Sequence, residues 1–300
     1  MAQLIKLQDY ISRYEWNAYR YPSQYIRLKQ DNWKKLYALW NDSLDKDIEE
    51  KLEDESISAF SRVKSFMKRE VDQEAQVKTP SLPDSELALK QYFLDKLFPV
   101  QLKWATSTVT DVSIMEQKYD HDPMLKFFLQ RFPDTYLLMY YPIFNVKKAP
   151  IEGEIVFISP VGIEVIYLLE EGRSATIMAG DDRTWEVGSN KKILSPLLAL
   201  KRTEQIIKSI LHVNEAEFPV RKIVLSQTNH IVYRNEPYNT KIIGKHEYGE
   251  WFDKKRKLVS TLKNRQLKAA ELLLNHCQTS SVKRPEWEEE DNQFQMDHEV

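Results

Sequence analysis

Apolar residues recur along this chain with two different periods, and the change from one to the other divides it. Between Tyr25 and Trp40 the apolar positions Ile26, Trp33, Leu36, Tyr37 and Trp40 fall three and four apart, the spacing of one helix face. A second such pattern runs through Ile48, Leu52, Ile57, Phe60, Val63 and Met67. The prolines of the 76–83 stretch end it. A third helix opens at Asp84-Ser85-Glu86 and carries Leu87, Leu89, Phe93, Leu94, Leu97 and Phe98. Residues 1–104 therefore read as mostly helical, with no internal repeat.

Near residue 120 the pattern shifts. Asp122-Pro123 is a helix start, with aspartate as the cap and proline at the first helical position. After the short helix Met124–Phe132 come Ile-, Val-, Leu- and Tyr-rich runs at Tyr136–Tyr141, Glu154–Ser159, Ile163–Leu169 and Ala175–Met178. Turn compositions separate them, as expected of strands. A helix over Pro196–Leu211 follows, then strands at Val220–Leu225 and Lys241–Ile243, and a last helix from Glu247 to Asn275 with a break near Ser260. The order predicts an α/β fold: a mixed β-sheet flanked by helices and preceded by a helical N-terminal region. Three parts are expected: a helical region over 1–110, an α/β domain over 111–277 and an acidic, disordered tail over 278–300. The helical region reads equally as an extension packed on the sheet domain or as an independent domain.

Composition narrows the class. The chain has 300 residues, 42% hydrophobic and 29% charged, enough to bury a core. Its single cysteine, Cys277, excludes an internal disulfide and a Cys-rich metal cage, and fits a reducing compartment. No apolar run reaches the ~20 residues of a membrane-spanning helix, and the N-terminus lacks a signal-peptide core, so a cytoplasmic protein is expected. The net charge of −2 is uneven: seven acidic residues and no basic ones lie in 285–300, leaving 1–284 at +5.

The run from Asp122 to about residue 255 resembles the nuclease-related domain (NERD) family of the PD-(D/E)xK, restriction-endonuclease-like superfamily. Asp122 stands where that family has its first acidic residue. Glu154, opening Glu-Ile-Val-Phe-Ile-Ser-Pro-Val-Gly, stands at the second. Gly162 and the strand Ile163–Ile166 lead to the place of the Glu-x-Lys triplet, where this chain has Tyr167-Leu168-Leu169. Trp185 matches the downstream tryptophan, Ser195-Pro196 stands for Asn-Pro, and Ala199 holds the place of a glutamine. Strand residues two apart share a face, so the triplet would set a carboxylate and an ammonium side by side for metal-assisted hydrolysis. Tyr167 and Leu169 supply neither.

The resemblance therefore implies a nuclease fold without an intact catalytic set, acting as a nucleic-acid-binding or scaffolding module with no cofactor. Asp122 and Glu154 remain as vestigial candidates and as the candidate ligands of a Mg²⁺ ion, with a helix cap the simpler reading of Asp122. The alternatives are an active metal-dependent nuclease with a rearranged site, drawing on Glu164, Glu170, Glu171 or Arg173, and a protein–protein adaptor working through the N-terminal helices. The six histidines show no ligand spacing, and no phosphate-cradling glycine loop is present.

Lys254, Lys255, Arg256, Lys257, Lys263 and Arg265, continued by Lys268, form a basic run suited to the phosphates of DNA or RNA, or to a solvated helix face. In the first forty residues, Tyr10, Tyr14, Trp16, Tyr19, Tyr21, Tyr25, Trp33, Tyr37 and Trp40 alternate with basic side chains. That mixture suits helix packing, and also stacking on single strands.

Overall fold

A computed structural model describes residues 1–49, 82–147, 149–172, 175–180, 183–188 and 191–284. The expected helix through Leu52–Met67, the residue Arg173 and the acidic stretch 285–300 lie outside these described residues. The elements in chain order are β1 (Gln3–Leu7), α1 (Arg13–Trp16), α2 (Arg20–Glu49), α3 (Glu86–Trp104), β2 (Asp111–Val112), a 3₁₀ turn (Gln117–Asp120), α4 (Pro123–Arg131), β3 (Leu137–Tyr140), β4 (Ile143–Val146), β5 (Ala149–Glu152), β6 (Ile155–Ser159) and β7 (Gly162–Leu168). Then follow β8 (Thr176–Met178), β9 (Thr184–Val187), β10 (Lys191–Leu194), α5 (Pro196–Val213), β11 (Val220–Leu225), β12 (His230–Val232), β13 (Thr240–Ile243), α6 (Lys245–Arg256), α7 (Asn264–Leu274) and β14 (Val282–Lys283).

Six strands form the main sheet in the order β1-β3-β6-β7-β11-β13. All pair in parallel except β6, which runs antiparallel to both β3 and β7. The mixed α/β class expected from the sequence is what the chain adopts. Parallel strands need crossover connections, and α5 lies in the one between β7 and β11. Residues of β6 and β7 alternate between the two faces of the sheet. Phe157 and its register partner Glu164 face α4 and α6, where Phe128, Phe132 and Tyr136 pack round Phe157 and Trp251 packs on Phe132. Glu154 and Tyr167, opposite one another in the continued register, face the α5 side. A second sheet, β10-β9-β8-β12, grows from the carboxyl ends of β7 and β11.

The N-terminus departs from expectation. Residues 3–7 are a sheet-edge strand, every one of them buried, and not part of a helix. Both of its faces are covered, so the alternation that marks a half-buried strand is missing. Lys6 is fully buried within it. Its ammonium donates to the Tyr10 carbonyl at 2.9 Å, to Thr279 Oγ1 at 3.0 Å and to the Glu15 carboxylate. Residues 278–284, expected to be disordered, are held in place: Ser280 bonds Asp9 twice, and β14 pairs with β2.

The chain divides into two units, Met1–Ile26 with Phe98–Val300, and Arg27–Leu97. Within the first, Tyr14, Tyr21 and Tyr25 gather round Trp104, which is the packing use of the N-terminal aromatics. Within the second, Trp33 packs on Phe93 and Trp40 Nε1 donates to the Pro83 carbonyl at 2.6 Å. No helix among the described residues is long and apolar enough to cross a membrane.

The Lys6 cluster gives the first prediction. Replacing Glu15 with alanine leaves a buried ammonium without its counter-charge, and a loss of about 3–5 kcal/mol is expected in urea denaturation. Lys6→Met, which removes the charge and keeps the bulk, should cost much less.

Candidate functional site

In open α/β sheets, ligands are bound outside the carboxyl ends of the strands. Here that edge gathers the ends of β1, β3, β7, β11 and β13. Because β6 is reversed, its amino end joins them. Three side chains stand on this edge on neighbouring strands: Tyr141 just after β3, Glu154 just before β6 and Tyr167 near the end of β7.

Glu154 is fixed from the α5 side. Its backbone N–H donates to Thr203 Oγ1 at 3.1 Å, and Arg202 donates to the neighbouring Glu152 carbonyl at 3.3 Å. Burial pushes the Glu154 carboxyl up to about 7. The Arg202 guanidinium opposes that rise, and Glu152 adds to it. Tyr141 and Tyr167 are both raised, first by burial and next by the charge of Glu154, so both phenols stay protonated. The edge therefore offers a carboxyl poised to exchange a proton at neutral pH, one guanidinium and two hydroxyl donors. That is the material of general acid–base catalysis at an anionic centre.

The other residues singled out in the sequence are placed as follows. Asp122 is the N-cap of α4: Oδ1 accepts the N–H groups of Met124 and Leu125 at 2.9 Å, and Oδ2 accepts the Tyr140 hydroxyl at 2.9 Å. Both Asp122 and Glu154 act on Tyr141. As a donor set for a hard divalent cation the pair does not fit. One carboxylate is already committed to three hydrogen bonds, the other favours its proton, and Mg²⁺ takes several oxygens at once. Among the described residues no group of three or more His, Cys, Asp or Glu side chains gathers to hold a metal. Leu169 is buried, and Glu164 is on the far face, paired with Lys255.

The basic run is split by the break at 257–263 between α6 and α7. It lies toward the amino ends of the strands, opposite Glu154. Lys255 is tied to Glu164, its carbonyl accepts from Tyr136, and Arg265 donates to the Glu217 carbonyl at 2.9 Å. Arg256 covers the Phe252 ring, and Lys257 stands 3.7 Å from Asp253.

Sequence reading passed over three features of the edge. Arg202 follows the Ser195-Pro196 helix start, but nothing local in the sequence shows that the second turn of α5 reaches the Glu154 edge. Asn229, fully buried, knots the loops after β7 and β11 by donating to the carbonyls of Glu171, Gly172 and Ala175. His230 and His246, sixteen residues apart, come together with ring centroids 4.9 Å apart.

No protein-family model and no solved structure matches the chain. A stretch of 114 residues is 36% identical to a protein of Geobacillus stearothermophilus named RNA 2',3'-cyclic phosphodiesterase. The stretch is 34% of this chain and 36% of that protein, so about a third of the relative's length is matched. This finding overturns the expectation of a catalytically inactive nuclease-like module. The relative matched over this stretch is named for an activity on phosphodiesters. The expectation took the missing carboxylate and ammonium at positions 167 and 169 as a loss of chemistry, whereas Glu154, just before β6, and Arg202 of α5 stand at the same edge.

The shifted carboxyl gives the second prediction. The folded protein holds the Glu154 proton more tightly than the unfolded chain, whose carboxyl titrates near 4.5. Stability is therefore full below that range and falls as pH rises through 7. At pH 8 a Glu154→Gln variant should be more stable than the native chain by on the order of 1–3 kcal/mol, with the difference vanishing near pH 4 in denaturation curves.

Proposed function

We propose that this chain hydrolyses phosphodiesters of RNA, cyclic phosphate ends foremost, at the edge of the main sheet that carries Glu154. One feature carries the reading: Glu154 and Arg202 stand together where the carboxyl ends of the parallel strands meet the amino end of β6, and burial raises the carboxyl toward neutrality. The name of the Geobacillus relative supports the choice of phosphodiester and of RNA.

The chemistry needs no more than these groups supply. The Glu154 carboxylate takes a proton from a water as its oxygen attacks phosphorus. The bond to one ribose oxygen breaks, and the departing oxygen receives the proton that Glu154 took up. Arg202 stabilises the negative charge that builds on the non-bridging oxygens. The closed five-membered ring of a 2',3'-cyclic phosphate is strained and is opened by water alone more easily than an unstrained diester. A single proton-handling group and a single cation thus go further on it than on DNA.

The finer fold reading belongs to the same proposal. A helix capped by Asp122, the β3–β6–β7 meander, the crossover helix α5 and the parallel strand β11 follow the order of the restriction-endonuclease-like sheet, which supports a nuclease-related ancestry. A Mg²⁺ ion held by Asp122 and Glu154 is not part of it, for the reason of donor set given above.

The test is turnover of a short RNA ending in a 2',3'-cyclic phosphate, beside a DNA strand of the same sequence. Ring opening to a phosphomonoester is expected, with the DNA intact. Glu154→Gln should lower the rate by about 10²–10⁴-fold, and Arg202→Ala by about 10²–10³-fold. An RNA end left closed by the native protein would sink the proposal.

A further inference from the structure

Among the described residues, five non-glycine residues have positive φ: Gln8, Tyr141, Lys147, Glu215 and Asn239. Four are polar residues in turns, where such a conformation is common. Tyr141, at φ 49°, is a bulky aromatic and precedes Pro142, and a proline drives the residue before it toward extended backbone. Two local preferences are thus violated at one residue, and that residue borders Glu154.

Its surroundings hold it there. The Pro142 carbonyl accepts the Gly153 N–H at 2.8 Å. A Cβ at Gly153 would lie 2.8 Å from the Phe144 ring and 3.2 Å from the Pro142 oxygen, so only glycine lets the two segments approach this closely. On the other side, the Tyr140 carbonyl accepts from Gln8 N at 3.0 Å, and the Tyr140 hydroxyl is tied to Asp122. The ring of Tyr141 itself packs edge-on against Tyr140, with centroids 4.8 Å apart. Strain retained against both local preferences, and fixed from three directions, points to a use for the side chain. Its phenol feels the charges of Glu154, Asp122 and Glu152. In the continued register of β3 and β6, Tyr141 stands opposite Glu154, at the edge where a phosphate beside Glu154 and Arg202 would lie.

We propose that Tyr141 is a substrate-contacting residue of this site, held in a left-handed backbone so that its phenol donates a hydrogen bond to a non-bridging oxygen of the phosphate that Arg202 binds. The inference rests on the reading of this edge as a phosphodiesterase site. The phenol remains protonated throughout and only donates, so no proton is transferred through it.

The experiment measures kcat and KM of the full chain on an RNA 2',3'-cyclic phosphate for four proteins: native, Tyr141→Phe, Tyr141→His and Glu154→Gln. Phenylalanine keeps the ring and the backbone but loses the donor. Histidine tolerates positive φ and retains an N–H. Tyr141→Phe should melt like the native protein and lose about 10–100-fold in kcat, with KM changed less than about threefold. Tyr141→His should recover part of that loss. Wild-type kinetics in Tyr141→Phe, with Glu154→Gln inactive, would overturn the role of Tyr141 and leave the site standing. Equal losses in the Phe and His variants would assign Tyr141 a packing role and overturn the proposal as well. Should Tyr141→Phe not fold, the His variant decides: retention of at least a tenth of native kcat supports the proposal, and complete loss in a folded protein contradicts it. Full activity in Glu154→Gln would remove the reading on which all of this rests.

Discussion

The reversal of β6 between β3 and β7 determines where charge collects in this protein. With five strands running one way, the carboxyl edge would present strand ends and loops only. The reversed strand brings its own amino end to that edge, and Glu154 stands there, between Tyr141 on one side and Tyr167 on the other. The hairpin of β4 and β5 connects Tyr141 to Glu154, and α5 returns along the sheet to bring Arg202 and Thr203 up to this edge. Remove the reversal and the carboxyl loses its burial, its guanidinium and its neighbours together.

Two acidic residues of similar standing in the sequence end in opposite electrostatic states. Asp122 accepts three hydrogen bonds and is spent on a helix cap and on Tyr140. Glu154 is desolvated with little compensation, because Arg202 only partly offsets burial and Glu152 works against it. A carboxyl left in that state costs stability at neutral pH, as functional sites commonly do. At the other end of the strands the charges are arranged differently. Lys255 and Glu164 neutralise one another between β7 and α6, which serves cohesion and not reaction.

Much of the fold could be read from local pattern. The Ile- and Val-rich runs that became β3, β6, β7 and β11 are continuous because those strands are covered on both faces, and the Asp122-Pro123 and Ser195-Pro196 pairs mark helix starts that α4 and α5 keep. The edge strand β1 was not legible. Its Lys6 would argue against burial, and what offsets it includes Thr279, some 270 residues away. The site was half legible. Glu154 could be found from its place at a strand start, but its titration near 7 depends on how deeply the fold covers it. Arg202 and Tyr141 become neighbours of Glu154 only through sheet register and the crossover. Reading Tyr167-Leu168-Leu169 as a loss of chemistry assumed that chemistry must come from one strand. The basic run was visible as composition, while its position away from the Glu154 edge is a property of the assembled sheet.

The central claim is that Glu154 handles the proton in phosphodiester hydrolysis with an ionisation near neutrality. Its most direct test is a comparison on one protein: the pH dependence of kcat/KM on an RNA 2',3'-cyclic phosphate, against the Glu154 carboxyl titration followed by carbon-detected NMR with a Glu154→Gln spectrum to assign it. The account predicts a carboxyl resonance that titrates near 7 and an ascending limb of the rate profile with the same midpoint, absent from the variant. A Glu154 resonance titrating near 4.5, or a rate profile indifferent to it, would contradict the account.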